Sequence, residues 1–298
     1  MSHYVRSTLI GSLAVPIWGT FAVLVTLTEN RIPPFQMLAM TFFIAFSVMM
    51  TQWLYQGHFG FVYLRQRKLA WMIGVGGLFG YHLFYFIAMA NAPAVEASLL
   101  NYLWPLLIVL FSALLPGEHL AIKHVLGAML ALFGCWLLIT GKGDGSKSGF
   151  EIQYLYGYIA ALIAAVLWGG YSVSSRLVKE VPTGAVGWFC LATSILALLC
   201  HIVVEQTVWP EGWVQWLGVL GLGLGPVGIS FFLWDRGIKH GNLQLLGVFA
   251  YAAPLISTVL LVVAGKSPYS DNLLLACLAI TFGALIAGWK RRPKLNNL

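Results

Sequence analysis

Charged residues are scarce in this sequence. Of its 298 residues, 17 are Lys or Arg and 10 are Asp or Glu, so 9% of the chain is charged, whereas a soluble domain carries about 25%. Apolar residues make up 59%, and the mean hydropathy is +0.83. So few charges on so apolar a chain exclude an ordinary soluble enzyme, a disordered chain and a nucleic-acid-binding domain.

Cysteine is also rare and shows no pairing pattern. The four cysteines, Cys135, Cys190, Cys200 and Cys277, lie in apolar stretches, and none belongs to a C-x-x-C pair. Neither metal binding nor redox chemistry is indicated, and we expect these residues to pack as small apolar side chains. The sequence therefore predicts neither a metal nor a cofactor.

Long uncharged stretches dominate the rest of the chain. Windows of at least 18 residues without Asp, Glu, Lys or Arg are 7–28, 32–64, 69–95, 97–117, 124–141, 152–175, 181–204, 212–234, 240–265 and 272–289. Each holds one helix of the roughly 20 residues that cross a bilayer core, and none alternates as a barrel strand does. We read the first window as a helix rather than a signal peptide, because no convincing cleavage site follows it. The sequence predicts an all-α integral membrane protein with ten transmembrane helices.

The basic residues indicate how these helices are oriented. With the N-terminus in the cytoplasm, thirteen of the 17 Lys and Arg residues fall on the cytoplasmic side and four on the other. Cytoplasmic loops of membrane proteins carry such an excess. An even number of spans puts both termini on one side, so we expect the N- and C-termini to be cytoplasmic.

The chain repeats itself. Residues 14–19 (AVPIWG) match 164–169 (AAVLWG) at an offset of 150, and 102–107 (YLWPLL) match 251–256 (YAAPLI) at an offset of 149. A unit of five helices is odd, so the second copy enters the membrane from the opposite side. We expect a first repeat over 1–142, a linker over 143–152, and a second repeat over 153–298 that ends in a basic tail. Inverted repeats around a central cavity are typical of transporters that work by alternating access.

Proline and glycine interrupt several of the predicted helices. Pro16, Pro105 and Pro254 lie within helices 1, 4 and 9, and the last two occupy matched positions of the repeats. Each proline removes a backbone donor, so we expect hinges at these three positions. Glycine-rich stretches in helices 3 and 8 allow two interpretations, close helix packing or flexing beside a cavity.

Deep polar and aromatic side chains form the predicted binding site. Asn101 is costly in lipid, so it faces protein or a wet cavity, either in an interhelical hydrogen bond or against a ligand. Tyr81 and Tyr85 share one helix face, and Trp18 and Trp168 are repeat mates. The predicted substrate-binding residues are Trp18, Tyr81, His82, Tyr85, Asn101, Tyr102, Trp168, Tyr171, Phe231, Trp234 and Tyr251.

Other membrane-embedded residues receive different predictions. Glu96 and His82 have either a proton-linked or a structural role. Asp235-Arg236 predicts an ion pair or an anchor at the end of helix 8. Tryptophans near helix ends are expected at the membrane interface: Trp53, Trp71, Trp209, Trp213 and Trp289.

The residues at the start of helix 4 carry a resemblance to a known family. The stretch 96–106 (EASLLNYLWPL), followed by 116–118 (PGE), resembles the E-x-x-x-x-N-Y-L-W-P signature of the YddG-type aromatic amino acid exporters. These belong to the drug/metabolite transporter superfamily and contain two EamA-type repeats. Residues 240–242 and the Y-x-x-P at 251–254 are similar to the second repeat. The resemblance implies a basket-shaped ten-helix transporter of the bacterial inner membrane that exports aromatic and some other neutral amino acids.

Three further functions compete with amino acid export. Small multidrug exporters of the superfamily carry a Glu in helix 1, but residues 7–28 contain no acid. A nucleotide-sugar carrier needs basic residues in its cavity, and His82 is the only deep candidate for positive charge. A membrane-embedded enzyme needs a nucleophile, an acid pair or a metal set at depth, and the sequence shows no such cluster. A drug or other small-metabolite carrier stays the main alternative. We expect a monomer in the lipid bilayer, since its two halves supply the symmetry that four-helix relatives obtain by dimerising, and no nucleic-acid partner.

Overall fold

The computed structural model describes residues 2–29, 31–117, 120–140, 151–266 and 271–289. Throughout these residues the chain forms helices and connecting loops, and none of them lies in a strand. Most of the predicted linker 143–152 and the predicted basic tail after residue 289 fall outside the described residues.

The helices are numbered α1 to α10 in chain order. Their bounds are His3–Leu27, Pro34–Tyr55, Lys68–Asn91, Ala94–Ser112, Ile122–Thr140, Ile152–Val178, Ala185–Val204, Gly212–His240, Leu243–Val263 and Asp271–Gly288. Eight of them are long and apolar enough to cross a membrane, whereas the apolar parts of α5 and α10, Ile122–Leu137 and Leu273–Gly288, are shorter. A helix satisfies its own backbone hydrogen bonds, which is why it suits a bilayer. The prediction of an all-helical membrane protein is confirmed.

Four helices are broken, three of them just before a proline. The segments are His3–Ser12, Ala14–Gly19 and Phe21–Leu27 in α1, Ala94–Asn101 and Trp104–Ser112 in α4, and Leu243–Phe249 and Ala252–Val263 in α9. Pro16, Pro105 and Pro254 cannot donate to the carbonyl four residues earlier, so the helix is interrupted there. The predicted interruptions are confirmed. In α8, Pro226 lies in a π-turn, Gly225–Ile229, between Gly212–Leu224 and Ser230–His240.

The helices pack in pairs that link the two halves of the chain. α1 packs on α8, α2 on α7, α3 on α6, α4 on α9 and α5 on α10. Glycines allow the closest approaches. A Cβ at Gly127 of α5 would lie 2.5 Å from the carbonyl oxygen of Gly283 in α10, and one at Gly77 would lie 2.5 Å from the Tyr171 side chain. Of the two interpretations of the glycine-rich stretch in α3, close packing therefore holds at Gly77.

The structure corrects two assignments near helix ends. Trp53 is not at the membrane interface: it is buried between Tyr63 and Trp188, whose ring centroids lie 5.7 and 5.3 Å away. The short loop after α2 folds back over this ring, which an end position in the sequence does not reveal. The ion pair in α8 joins Asp235 to Lys239, four residues on, rather than to Arg236.

Two ends of the bundle are distinguished by their ion pairs. At the first, which we call the Lys239 end, Arg67 pairs with Glu180 at 3.5 Å, and the buried Lys239 pairs with Asp235. At the opposite end, the Arg31 end, Arg31 pairs with Glu211 at 3.2 Å.

Candidate functional site

Four tryptophans from four helices meet at the centre of the bundle. Trp18 of α1 lies 4.9 Å from Trp234 of α8, 6.0 Å from Trp168 of α6 and 6.1 Å from Trp104 of α4, measured between ring centroids. Trp104 lies 6.2 Å from both Trp168 and Trp234. Most of these contacts are edge-to-face, which suits the quadrupoles of aromatic rings. The repeat mates Trp18 and Trp168 thus belong to one cluster of packed rings, which we name the tryptophan chamber.

Hydrogen bonds fix two of these indoles. The Trp18 Nε1 donates to the carbonyl oxygen of Pro226 at 3.1 Å, and the Trp234 Nε1 donates to the Ser172 Oγ at 3.1 Å. The Pro226 carbonyl lies in the π-turn of α8, where the helical bonding register changes. An indole N–H that has a buried partner holds its ring in one orientation, so these faces are set before any ligand arrives.

A tyrosine–histidine row from α3 extends the chamber toward the Arg31 end. Tyr81 lies 5.1 Å from Trp168 and stacks on Tyr85, 6.0 Å away with 12° between the rings. His82 packs edge-on against Phe42 of α2 at 5.3 Å. Its Nδ1 lies 2.7 Å from the Leu78 carbonyl oxygen, which can only accept. The Nδ1 therefore carries a proton, and in the neutral ring the Nε2 is left as an acceptor.

Asn101 supplies a buried polar group beside this row. Its Nδ2 donates to the Tyr81 hydroxyl at 3.2 Å, while its Oδ1 has no hydrogen-bond partner among the described residues. The side chain is 4% exposed. The residue ends the first segment of α4, and Pro105 cannot donate to its main-chain carbonyl. The interhelical hydrogen bond thus accounts for the Nδ2 half of the Asn101 amide, and the Oδ1 half is left unpaired.

Side chains on the two sides of the chamber differ in exposure. Trp18, Tyr81 and Tyr85 are partly exposed. Residues 22–27 of α1 and 79–87 of α3 are partly exposed at every position, whichever way each side chain points. The side of the chamber toward the Arg31 end is therefore lined by side chains that are less buried than those on the side toward the Lys239 end.

The Lys239 end of the chamber is closed by buried side chains. Tyr171, Phe231 and Trp234 are at most 6% exposed, and Phe231 packs 5.5 Å from Trp168. Only a void of about 10 Å³ lies between Tyr171 and Asp235, which is room for one water at most.

A polar network closes this end further. The Asp235 and Lys239 side chains are both 3% exposed and lie 2.8 Å apart. The Thr183 Oγ1 donates to the Asp235 Oδ2 at 2.7 Å, and the Lys239 Nζ donates to the Val181 carbonyl at 3.0 Å. Arg176 donates to two carbonyls near the end of α8. The loop between α6 and α7 is thereby tied to α8.

Three predicted site residues lie away from the tryptophans. Tyr251 is fully buried in a separate apolar cluster with Val109 and Cys135, and Tyr102 packs against that cluster. Glu96, 7% exposed, lies in the first turn of α4, where a carboxylate favours the helix N-terminus. Its Oε2 has no partner among the described residues.

The sequence of this chain is similar to that of known transporters. Two regions, 6–140 and 155–289, each match the profile of the EamA-like transporter family. The chain belongs to this family. It is 50% identical over 281 residues to a protein of Ancylobacter novellus named aromatic amino acid exporter YddG, a match that covers 94% of this chain and 96% of that one. A protein of the same name from Salmonella typhimurium is 25% identical over 291 residues, with the same coverage. A crystal structure of a protein 49% identical to this chain has a TM-score of 0.90 and covers 96% of this chain and 98% of the other.

Membership of the EamA-like family confirms two predictions from the sequence. The family consists of transporters, so this chain is a transporter and not an enzyme. The drug/metabolite transporter assignment and the resemblance to the aromatic amino acid exporters are confirmed as well. Among the described residues, no group of three His, Cys, Asp or Glu side chains is placed to hold a metal.

The predicted substrate-binding residues left out two rings of the chamber, Trp104 and Phe42. Trp104 follows Asn101 and Tyr102 in the same signature, so its position before Pro105 was an available signal. Phe42 lies in a uniformly apolar helix, where no change of polarity distinguishes the side that faces the chamber from the side that faces lipid. The structure shows it 5.7 Å from Phe231.

Proposed function

We propose that this transporter exports aromatic and other neutral amino acids across the bacterial inner membrane. The tryptophan chamber carries the proposal, because the faces of indole rings bind flat apolar groups and Asn101 offers an unpaired oxygen near them. The name of the relative at 50% identity points to the same cargo.

The groups beside the chamber suit the zwitterionic head of an amino acid. The Asn101 Oδ1 and the His82 Nε2 are acceptors, which is what an ammonium group requires. The Tyr81 hydroxyl accepts from Asn101, so its own proton is free to donate to a carboxylate. In this proposal the side chain of the substrate stacks among Trp18, Trp168 and Trp234, with Tyr81 and Tyr85 at the entrance.

The remaining predicted residues complete the proposed site. Tyr171 and Phe231 form its floor toward the Lys239 end, where both are nearly buried. Tyr102 and Tyr251 act in this proposal as supports behind Asn101 rather than as direct contacts, since both pack against the apolar cluster near α5.

Alternating access of two inverted five-helix repeats is the mechanism we propose. The two regions matched by the family profile support a repeat. Helix contacts support a two-fold relation, since α1 packs on α8 and α9, and its repeat mate, α6, packs on α3 and α4. The direction of the helices supports inversion, because α1 ends beside Arg31 and α6 ends beside Glu180 at the opposite end of the bundle. Gly19 and Gly169 are repeat mates, and each approaches a repeat-matched side chain, Ile256 and Leu107 respectively. In this proposal α5 and α10 also cross the membrane, which makes ten spans.

The orientation follows from charge. Placing the Lys239 end in the cytoplasm puts both termini there and agrees with the excess of Lys and Arg on that side. The described conformation is then closed to the cytoplasm and open to the outside. Export requires the opposite state, in which the bonds around Asp235 part and the segments of α1 and α9 nearest the Arg31 end close over Tyr85. Pro105 and Pro254 are the proposed hinges, the two halves rock within one monomer, and Glu96 and His82 are the candidates for proton linkage.

Transport by purified protein tests the proposal. Proteoliposomes should take up labelled tryptophan and phenylalanine in a saturable way, and unlabelled aromatic amino acids should compete while lysine should not. An imposed pH gradient changes the rate only if protons are coupled. Folded protein that moves no amino acid would contradict the proposal and favour another small metabolite as cargo.

A further inference from the structure

A second cavity lies at the Lys239 end, between α2 and α8 and apart from the tryptophan chamber. Its volume is about 320 Å³, within the range of small-ligand sites. Side chains of both helices and of the loop after α2 line it, among them Gln52, Trp53, Gln56, Tyr63, Phe232 and Arg236. The lining combines amide donors, aromatic rings and one cation, and contains no carboxylate.

The cation in this cavity is not neutralised by the protein. Arg236 makes no ion pair or hydrogen bond with any described residue, and its chain neighbour Asp235 is already bound by Lys239 and Thr183. Arg65, on the same loop as Tyr63, is exposed and adds positive charge nearby. A planar guanidinium with all its donors free suits a phosphate or carboxylate group.

A buried donor in the same wall also lacks an acceptor. Trp53 is 1% exposed, and its Nε1 has no hydrogen-bond partner among the described residues. Close approaches to Gly60 and Gly187 involve the six-membered ring of the indole, so the N–H edge is turned away from both glycines. Buried indole N–H groups are normally satisfied, and an anionic ligand would supply the missing acceptor.

The chain segment that contributes Gln56 and Tyr63 to the cavity also carries exposed apolar side chains, which we call the rim. Tyr55 is 94% exposed, Phe59 61%, Phe61 63% and Val62 68%. In a membrane protein, aromatic side chains clustered with cations at helix ends lie at the level of the lipid headgroups. An occupant that satisfies both the polar wall and this rim has an anionic head and apolar chains.

We propose that this cavity binds the phosphate headgroup of an acidic phospholipid. Arg236 and Trp53 act as the donors, and the acyl chains lie over the exposed side chains of residues 55–62. Basic pockets between helices at one membrane face bind lipid headgroups in this way. The site is independent of the cargo proposed for the tryptophan chamber.

Lipid retention tests this site. Wild-type protein and the variants R236Q, R236K, W53F and R67Q are reconstituted in phosphatidylcholine vesicles with or without phosphatidylglycerol, re-extracted, and analysed for bound lipid by mass spectrometry. R236Q should retain about tenfold less phosphatidylglycerol than wild type, because it loses charge-assisted hydrogen bonds, and W53F roughly fivefold less. R236K should fall between them. R67Q, at the same end but paired with the exposed Glu180, should match wild type.

Two further measurements keep the test decisive. Retention by wild-type protein should fall when salt is raised from about 0.1 M to about 1 M, a result that needs no variant to fold. Equal retention by wild type and R236Q would overturn the site. Displacement of the lipid by equimolar glycerol 1-phosphate would overturn the lipid assignment, since it would mean that the acyl chains contribute nothing and that any phosphate ester serves.

Discussion

The buried polar groups that flank the tryptophan chamber are paired on one side and unpaired on the other. Farther from the chamber the two ends are alike, since the Lys239 end also holds the unpaired Trp53 Nε1 and the Arg31 end also holds the paired His201 and Glu205. At the Lys239 end, the oxygens of Asp235 and the ammonium of Lys239 all have partners within one network. Toward the Arg31 end, the Asn101 Oδ1 and the Glu96 Oε2 are buried without partners. Satisfied groups hold elements together, whereas a buried acceptor without a donor is costly until a ligand or water supplies one.

The two halves of the sequence are similar, so residues at matched positions can be compared directly. The repeat mates Trp18 and Trp168 lie side by side in the centre, yet Trp18 is partly exposed and Trp168 is 4% exposed. The side of the chamber toward Lys239, the tied end, is thus held by hydrogen bonds, whereas the side toward Arg31, which we call the open end, is less buried. The contrast predicts that changes at the tied end alter stability and that changes at the open end alter ligand binding.

The largest expected effect follows from breaking the tied end. Asp235→Asn leaves the buried Lys239 ammonium without its counter-charge, and we expect a loss of about 3–5 kcal/mol in unfolding free energy. Denaturant unfolding in detergent measures it. Asp235→Leu combined with Lys239→Met removes both charges and should recover most of the loss, whereas Arg67→Gln, in an exposed pair, should cost at most about 1 kcal/mol. If Asp235→Asn lost no more unfolding free energy than Arg67→Gln, the Asp235 network would not stabilise the Lys239 end.

A smaller effect is expected where α5 meets α10. Gly127→Ala places a methyl group 2.5 Å from the Gly283 carbonyl oxygen, and overpacking against backbone should cost about 1–3 kcal/mol. Gly76→Ala is the matched control, because a Cβ there meets nothing within 4 Å, and alanine favours a helix over glycine by up to about 1 kcal/mol. Thermal unfolding of the two variants should therefore shift in opposite directions. Shifts of the same sign would argue against the close α5–α10 contact.

Removing the unpaired amide at the open end should affect transport more than stability. Asn101→Ala loses one acceptor for the substrate and one hydrogen bond to Tyr81, and we expect amino acid uptake to fall by about tenfold or more. Asn91→Ala, at an exposed asparagine that bonds only the Ile87 carbonyl of its own helix, should transport as wild type does. Uptake in proteoliposomes of equal protein content decides the matter, and normal uptake by Asn101→Ala would remove this residue from the site.

Sequence alone was sufficient for the helices and for part of the chamber. Uncharged windows marked the helices because lipid excludes charge, and Pro16, Pro105 and Pro254 marked their interruptions because proline lacks a donor. The repeat alone paired Trp18 with Trp168. Each of these signals is local or self-repeating, so it needs no knowledge of which helices touch.

What the sequence did not reveal depends on helix rotation. A helix in lipid is apolar on every side, so Phe42 resembles its lipid-facing neighbours, and the composition of α2 does not show which side meets α8. Trp53 was predicted at the membrane interface because the sequence around it does not show that a later loop covers its ring. The sequence could have predicted the partner of Asp235, because side chains four residues apart on a helix are neighbours and adjacent ones are not, which favours Lys239 over Arg236.

The most direct test of the account is equilibrium binding of labelled phenylalanine to the purified protein. We predict saturable binding that unlabelled tryptophan displaces and lysine does not, abolished in Trp168→Ala and retained in Trp209→Ala, whose ring is 66% exposed. Wild-type affinity in Trp168→Ala would contradict the claim that the tryptophan chamber is the binding site.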